Sequence, residues 1–132
     1  MKKITEDWLR SAQMDLDNIS KILHEEHLTP IVAFHSQQAI EKSLKALMEE
    51  HQIEFRKTHD LIYLYKIIKK HFDLKIDIGI LRAINEMYID SRYPGEFGLL
   101  PYGKPTLEDA KQFYDFAKEV FEKIKQIDRS GF

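Results

Sequence analysis

The sequence predicts an all-α protein, an up-and-down bundle of about five helices. Two observations carry that expectation. Apolar residues recur at spacings of three and four in segment after segment, the period of a helix with one buried face. No segment alternates with a period of two for long enough to compete as a strand. With 132 residues the chain is expected to fold as a single domain, residues 1–132, around one core.

The first helix is expected to begin near Thr5 as N-cap, with Glu6 and Asp7 favouring its positive end. Trp8, Ala12, Leu16, Ile19 and Leu23 form its apolar stripe. Thr29 is the expected cap of the second helix, and Pro30 suits its first position, where a missing N–H costs nothing. That helix carries Ala33, Ile40, Leu44 and Leu47 inward and runs to about His51. A short connection through Phe55, Arg56 and Lys57 leads to Thr58, the expected cap of a third helix with Leu61, Leu64, Ile68 and Phe72. Ile62, Tyr63, Tyr65 and Ile67 widen its apolar surface, which fits either a thick core or a dimer face. After a break near residues 73–77, Ile78, Leu81, Ile84 and Tyr88 mark a fourth helix. RYPGEFGLLPYGKP, residues 92–105, holds three glycines and three prolines and is read as a long loop. Thr106 and Asp109 then form a capping-box variant, and Leu107, Ala110, Phe113, Ala117, Val120, Ile124 and Ile127 line the last helix. Arg129 to Phe132 is expected to fray.

Composition removes several function classes. Hydrophobic residues make up 43% and charged residues 32%, the profile of a globular protein. The 20 basic and 22 acidic side chains leave a net charge of -2, so broad attraction to phosphate is not expected, and nucleic-acid binding would need a local basic patch. The absence of cysteine removes disulfides, thiolate metal sites and cysteine nucleophiles together. No apolar run approaches the roughly 20 residues that span a bilayer, and MKKITEDW lacks the apolar stretch of a secretory signal. The chain is read as intracellular and cytoplasmic, without membrane contact. His24 and His27 in HEEH are three apart, a spacing that would put them on one face of a helix, but zinc needs three or four ligands and no partner pair is evident, so no metal or cofactor is expected.

Chain direction in an antiparallel bundle brings Trp8, Lys45, Glu49, Thr58, His59, Asp60 and Arg92 toward one end. His59, in a first helical turn, either ties one helix end to the next or serves as a general base. Arg92, where Pro94 forces a helix to stop, either answers the helix dipole or grips a phosphate. In FHSQQAIEKSLKALM, residues 34–48, Gln37 falls at the edge of the apolar stripe and Glu41 just beyond it. Gln38, Lys42 and Lys45 point away. Spacing alone reads this as a solvated face with Gln38–Lys42 and Glu41–Lys45 pairs at i,i+4.

Four motifs, taken in order, resemble HEPN domains (higher eukaryote and prokaryote nucleotide-binding). They are W-L-R-x-A-x-x-D-L at Trp8 to Leu16, Q-Q-A-I-E-K-S-L-K-A-L at Gln37 to Leu47, K-T-H-D-L at Lys57 to Leu61, and Y-x-x-x-R-Y-P at Tyr88 to Pro94. The resemblance covers nearly the whole chain. It implies a helical bundle related to the C-terminal domain of kanamycin nucleotidyltransferase, a homodimer, and pairing with a separately encoded minimal nucleotidyltransferase. Many such pairs resemble toxin–antitoxin modules whose HEPN member is a metal-independent RNase carrying arginine, four to six residues, then histidine. Arg92 matches the arginine, but Phe97, Gly98 and Leu99 occupy the histidine positions. The resemblance therefore implies a nucleotide-binding or partner-binding role, without confident catalytic residues, for Gln37, Glu41, Lys45, His59, Arg92 and Tyr93. The alternatives are an RNase with an altered site built on His59 and Arg92, and a purely structural interaction module.

Overall fold

A computed structural model describes residues 1–91 and 104–130, with the backbone alone described for 88–91 and 130. The described residues form five α-helices and no strand: α1 (Lys3–Ile22), α2 (Thr29–Glu50), α3 (Leu61–Ile68), α4 (Ile78–Ser91) and α5 (Leu107–Ser130), with a short 3-10 turn at Glu26–Leu28 before α2. No helix among them is long and apolar enough to cross a membrane.

Helix α2 is the axle. It packs against each of the other four helices, and 14 of its 22 residues are buried. An ordinary surface helix hides one stripe; a helix enclosed all round must be covered on every face. Ile40, Leu44, Leu47 and Met48 are fully buried along it. Leu16 and Ile19 of α1, Leu61, Leu64 and Ile68 of α3, Leu81 and Ile84 of α4, and Ile124 of α5 complete the core.

Helices α1 and α2 are antiparallel. Lys2 meets Glu49 and Glu50 at one end, and Asp15 meets His35 further along. The next connection departs from the expected hairpin. Helix α2 stops in a Schellman motif, with Gln52 N–H donating to the Glu49 carbonyl at 3.4 Å and Ile53 N–H to the Met48 carbonyl at 2.9 Å. Gln52 takes the left-handed conformation this turn needs, at φ 56°, without being glycine. The chain then folds back along α2, so His59 sits beside Glu41 and α3 begins at mid-bundle. Phe72, beyond the end of α3, packs edge-on against His51. Helix α3 therefore runs in the same direction as α2, and its start is not at the bundle end that simple alternation places it.

Three expected caps move. Thr5 is buried inside α1, where its hydroxyl donates to Glu50 Oε1 at 2.8 Å, and the helix starts from Lys2 without a side-chain cap. Thr29 is likewise buried, and α2 starts from Leu28 with no side-chain cap. Asp60, not Thr58, caps α3: its Oδ1 accepts from Ile62 N–H at 3.0 Å and Tyr63 N–H at 3.2 Å. Thr58 instead accepts from the Asp60 N–H. The capping box of α5 forms as expected, with Thr106 N–H donating to Asp109 Oδ2 at 3.0 Å and Asp109 N–H to Thr106 Oγ1 at 2.9 Å. The Tyr65 ring is buried and its hydroxyl donates to the Leu74 carbonyl, while Ile62, Tyr63 and Ile67 are half-buried against the core. Most of the wide apolar surface of α3 is thus spent on the protein's own interior.

Candidate functional site

The residues of the FHSQQAIEKSLKALM stretch are not a solvated face. Gln37, Glu41 and Lys45 lie one turn apart along α2 and are all buried, at 0%, 4% and 7% exposure. His59 of the returning connector meets Gln37 and Glu41, and Trp8 of α1 stands by Lys45. Glu41 is the hub. Its Oε1 accepts from Gln37 Nε2 at 2.9 Å and from His59 Nδ1 at 2.9 Å, and its Oε2 accepts from Lys45 Nζ at 2.9 Å. Gln37 also donates to the His59 backbone carbonyl at 3.3 Å and accepts from Gln38 Nε2 at 2.7 Å. A carboxylate and an ammonium leave water at such depth only when each is paired. The Glu41–Lys45 pair expected from spacing therefore exists, but as a desolvated ion pair rather than a surface one.

His59 has a fixed orientation. A carboxylate can only accept, so His59 Nδ1 donates to Glu41. The side chain remains 53% exposed. Asp60, next in sequence, binds Asn85 Nδ2 of α4 at 3.2 Å, and Asn85 Oδ1 accepts the Leu61 N–H at 2.9 Å. Helices α2, α3 and α4 are thus pinned together around the K-T-H-D-L motif. Arg92 and Tyr93 fall outside the described residues.

One turn below Glu41 the connector, the start of α1 and the end of α2 enclose an open groove of about 1090 Å³. Lys45 is the bridge between hub and groove: its Nζ stands 5.7 Å from the centre of the Trp8 ring. Arg56 stacks over Tyr63 at 4.0 Å, and the Arg56 N–H donates to the Tyr63 hydroxyl at 3.1 Å. Trp8, Lys45 and Glu49 come together as chain direction predicts, whereas Thr58, His59 and Asp60 lie further up α2.

Two polar clusters escaped the sequence reading. Asp15 of α1 accepts from Lys42 Nζ at 2.8 Å and from His35 Nδ1 at 2.9 Å, while His35 Nε2 faces Asn18 Nδ2 at 3.1 Å. Lys42 therefore pairs across the helices and not with Gln38. Asp15 falls three residues after Ala12 and one before Leu16, on the buried stripe, and an acid at such a position was the available signal. The second cluster joins the ends of three helices. The Asp128 side chain has no exposed surface and stands 3.4 Å from His51 Nε2. Burial, reinforced by the nearby Glu50 charge and partly offset by the N-terminal ammonium, pushes Asp128 up to about 7. Nothing in a single-sequence pattern marks it, because the pairing exists only once α2 and α5 end side by side. No group of three or more His, Asp or Glu side chains among the described residues could hold a metal ion.

The helical bundle agrees with what comparison finds. The HEPN domain family model matches residues 5–127. The chain belongs to the HEPN family. It is similar to "Putative toxin MJ1304" of Methanocaldococcus jannaschii, with 30% identity over 130 residues, spanning 91% of this chain and 85% of that protein. Among solved structures it is similar to ST0689, an archaeal HEPN homologue, with a TM-score of 0.72, 24% identity, and coverage of 97% of this chain and 99% of that one. In this HEPN bundle the stretches Q-Q-A-I-E-K and K-T-H-D-L meet through Glu41 and His59.

Proposed function

We propose that this HEPN protein is a non-catalytic binding subunit of a toxin-like pair, holding a nucleotide or a separately encoded minimal nucleotidyltransferase. The observation that carries the reading is the Glu41 hub. Glu41 and Lys45 are paired and Gln37 is tied between Glu41 and the His59 carbonyl, so the hub is a rigid interior network that fixes the exposed His59. His59 is the exposed member of the group formed by Gln37, Glu41, Lys45 and His59. The arginine–histidine pair of the family's RNases is incomplete, with Phe97, Gly98 and Leu99 in place of the histidine. The likeness to a protein named as a toxin supports the toxin-like setting.

A second reading is favoured by one contact. Glu41 fixes His59 with its proton on Nδ1, the arrangement that readies Nε2 as a general base, and a metal-independent RNase would then use His59 with Arg92. Cleavage of single-stranded RNA by the wild type, His59→Ala and Arg92→Ala decides between the two. The first reading expects negligible cleavage by all three, with or without divalent metal. Proton transfer is worth about 10²–10⁴ in rate, so robust wild-type cleavage lost in both variants establishes the RNase. The protein is also proposed to be a homodimer; light scattering that returns the 15.7 kDa monomer mass at micromolar concentration removes that part.

A further inference from the structure

We propose that the groove beneath the Glu41 hub is the docking surface for an acidic segment of a partner protein. The inference rests on the partner-binding reading above and names where and how the partner is held. Its walls carry three exposed cations, Lys2, Arg56 and Lys57, against two carboxylates, Glu49 and Glu54, in a chain whose net charge is -2. A separate groove beside α5 has the opposite balance, lined by Asp77, Glu108, Asp109, Asp115 and Glu119 together with Lys111. The near-neutral total therefore hides a segregated field, and the cationic groove attracts an acidic partner locally.

Residue type distinguishes a peptide from a phosphate chain. Trp8, Tyr63 and Arg56 are the three kinds of side chain that dominate the binding energy of protein interfaces, and here they share one groove. Met48, Ile53 and Phe55 add apolar wall, which an alternating acidic and apolar segment uses and a phosphate backbone does not. Glu49 and Glu54 also line the groove. They repel a uniformly charged polyanion but match a segment in which carboxylates alternate with other side chains. Arg56 is held by its stacking on Tyr63, so this cation is already ordered before binding.

Trp8 is the only tryptophan of the chain, so intrinsic fluorescence reports on this groove directly. The probe is a synthetic peptide in which glutamate alternates with leucine, titrated into the wild type and into Arg56→Glu/Lys57→Glu, two exposed positions whose reversal leaves the core intact. The expected result is a saturable change in Trp8 emission, weakened about tenfold or more by the double reversal and by raising salt. Circular dichroism confirms that the double variant is folded. Three outcomes overturn the proposal: no response of Trp8 to the peptide, binding unaffected by the reversals, or tighter binding of oligouridylate than of the peptide at the same site. Self-association of the wild type that the double reversal abolishes would make a second copy the occupant and overturn it as well. Co-purification with a minimal nucleotidyltransferase separates this test from the reading beneath it. If the pair forms with the wild type and survives the double reversal, the binding-subunit reading stands and the groove assignment fails.

Discussion

Glu41 and His59, 18 residues apart in sequence, meet at 2.9 Å through Oε1 and Nδ1. That contact closes the connector over α2 and turns three polar side chains of a helix into an interior network. Because the ion pair with Lys45 is inside, its members cannot be removed singly without leaving a buried charge.

Glu41→Gln should destabilise the protein by about 3 kcal/mol or more, because Lys45 keeps its charge and loses its carboxylate. The double variant Glu41→Leu/Lys45→Met should recover most of that loss, since an apolar pair of similar volume needs no compensation. Urea denaturation of the single and double variants checks both. Equal losses in the two would mean the network acts through shape rather than charge.

Asp128 sets a pH dependence with a definite sign. Its pKa rises from an ordinary 3.8 to about 7 on folding, so between those values the folded state holds a proton that the unfolded state has released. Stability from this group is therefore fully present below about 4, is lost as pH rises, and is gone above about 7. Asp128→Asn should flatten the profile over that window and raise the melting temperature at pH 8 relative to the wild type. His51 faces Asp128, and Glu50 and the N-terminus lie close by, so the difference between the two proteins is the quantity to measure. A parallel pair of curves would show that Asp128 does not titrate in this range.

Gln52→Gly should stabilise the protein by about 0.5–1 kcal/mol, because the left-handed position at the end of α2 costs a side-chain-bearing residue and costs glycine little. Thermal unfolding checks the direction. A loss of stability would show that the Gln52 side chain makes a contact worth more than the backbone relief.

Asp60→Ala removes the α3 cap and the Asn85 contact together, and should cost about 1–2 kcal/mol. Asp60→Asn, which keeps an acceptor in place, should cost less. Denaturation midpoints of the two variants give the comparison, and an equal cost would assign the effect to the charge.

The helices and their inward faces were legible in the sequence because apolar period is a local property. Leu16 and Ile19, Leu44 and Leu47, and Ala117 and Ile124 are buried as their spacing requires. The Thr106–Asp109 box was legible for the same reason: both partners lie within one turn. The grouping of Gln37, Glu41, Lys45 and His59 also came from the sequence, through the ordered motifs that resemble the family.

What the tertiary structure alone decided is the character of that group. Glu41 and Lys45 have the spacing of a solvated i,i+4 pair, and the helix itself gives no reason to think otherwise. They are buried where Gln52 turns the chain back, His59 closes on Glu41 and Trp8 stands by Lys45, a path written in no glycine, asparagine or proline. Thr5 and Thr29 look like caps for the same kind of reason, and each ends up inside the bundle. Burial depends on what a distant segment covers, and ionisation follows burial, as in Asp128 between the ends of α2 and α5. Periodicity fixes which face of a helix is apolar; only packing decides which polar residues lose their water.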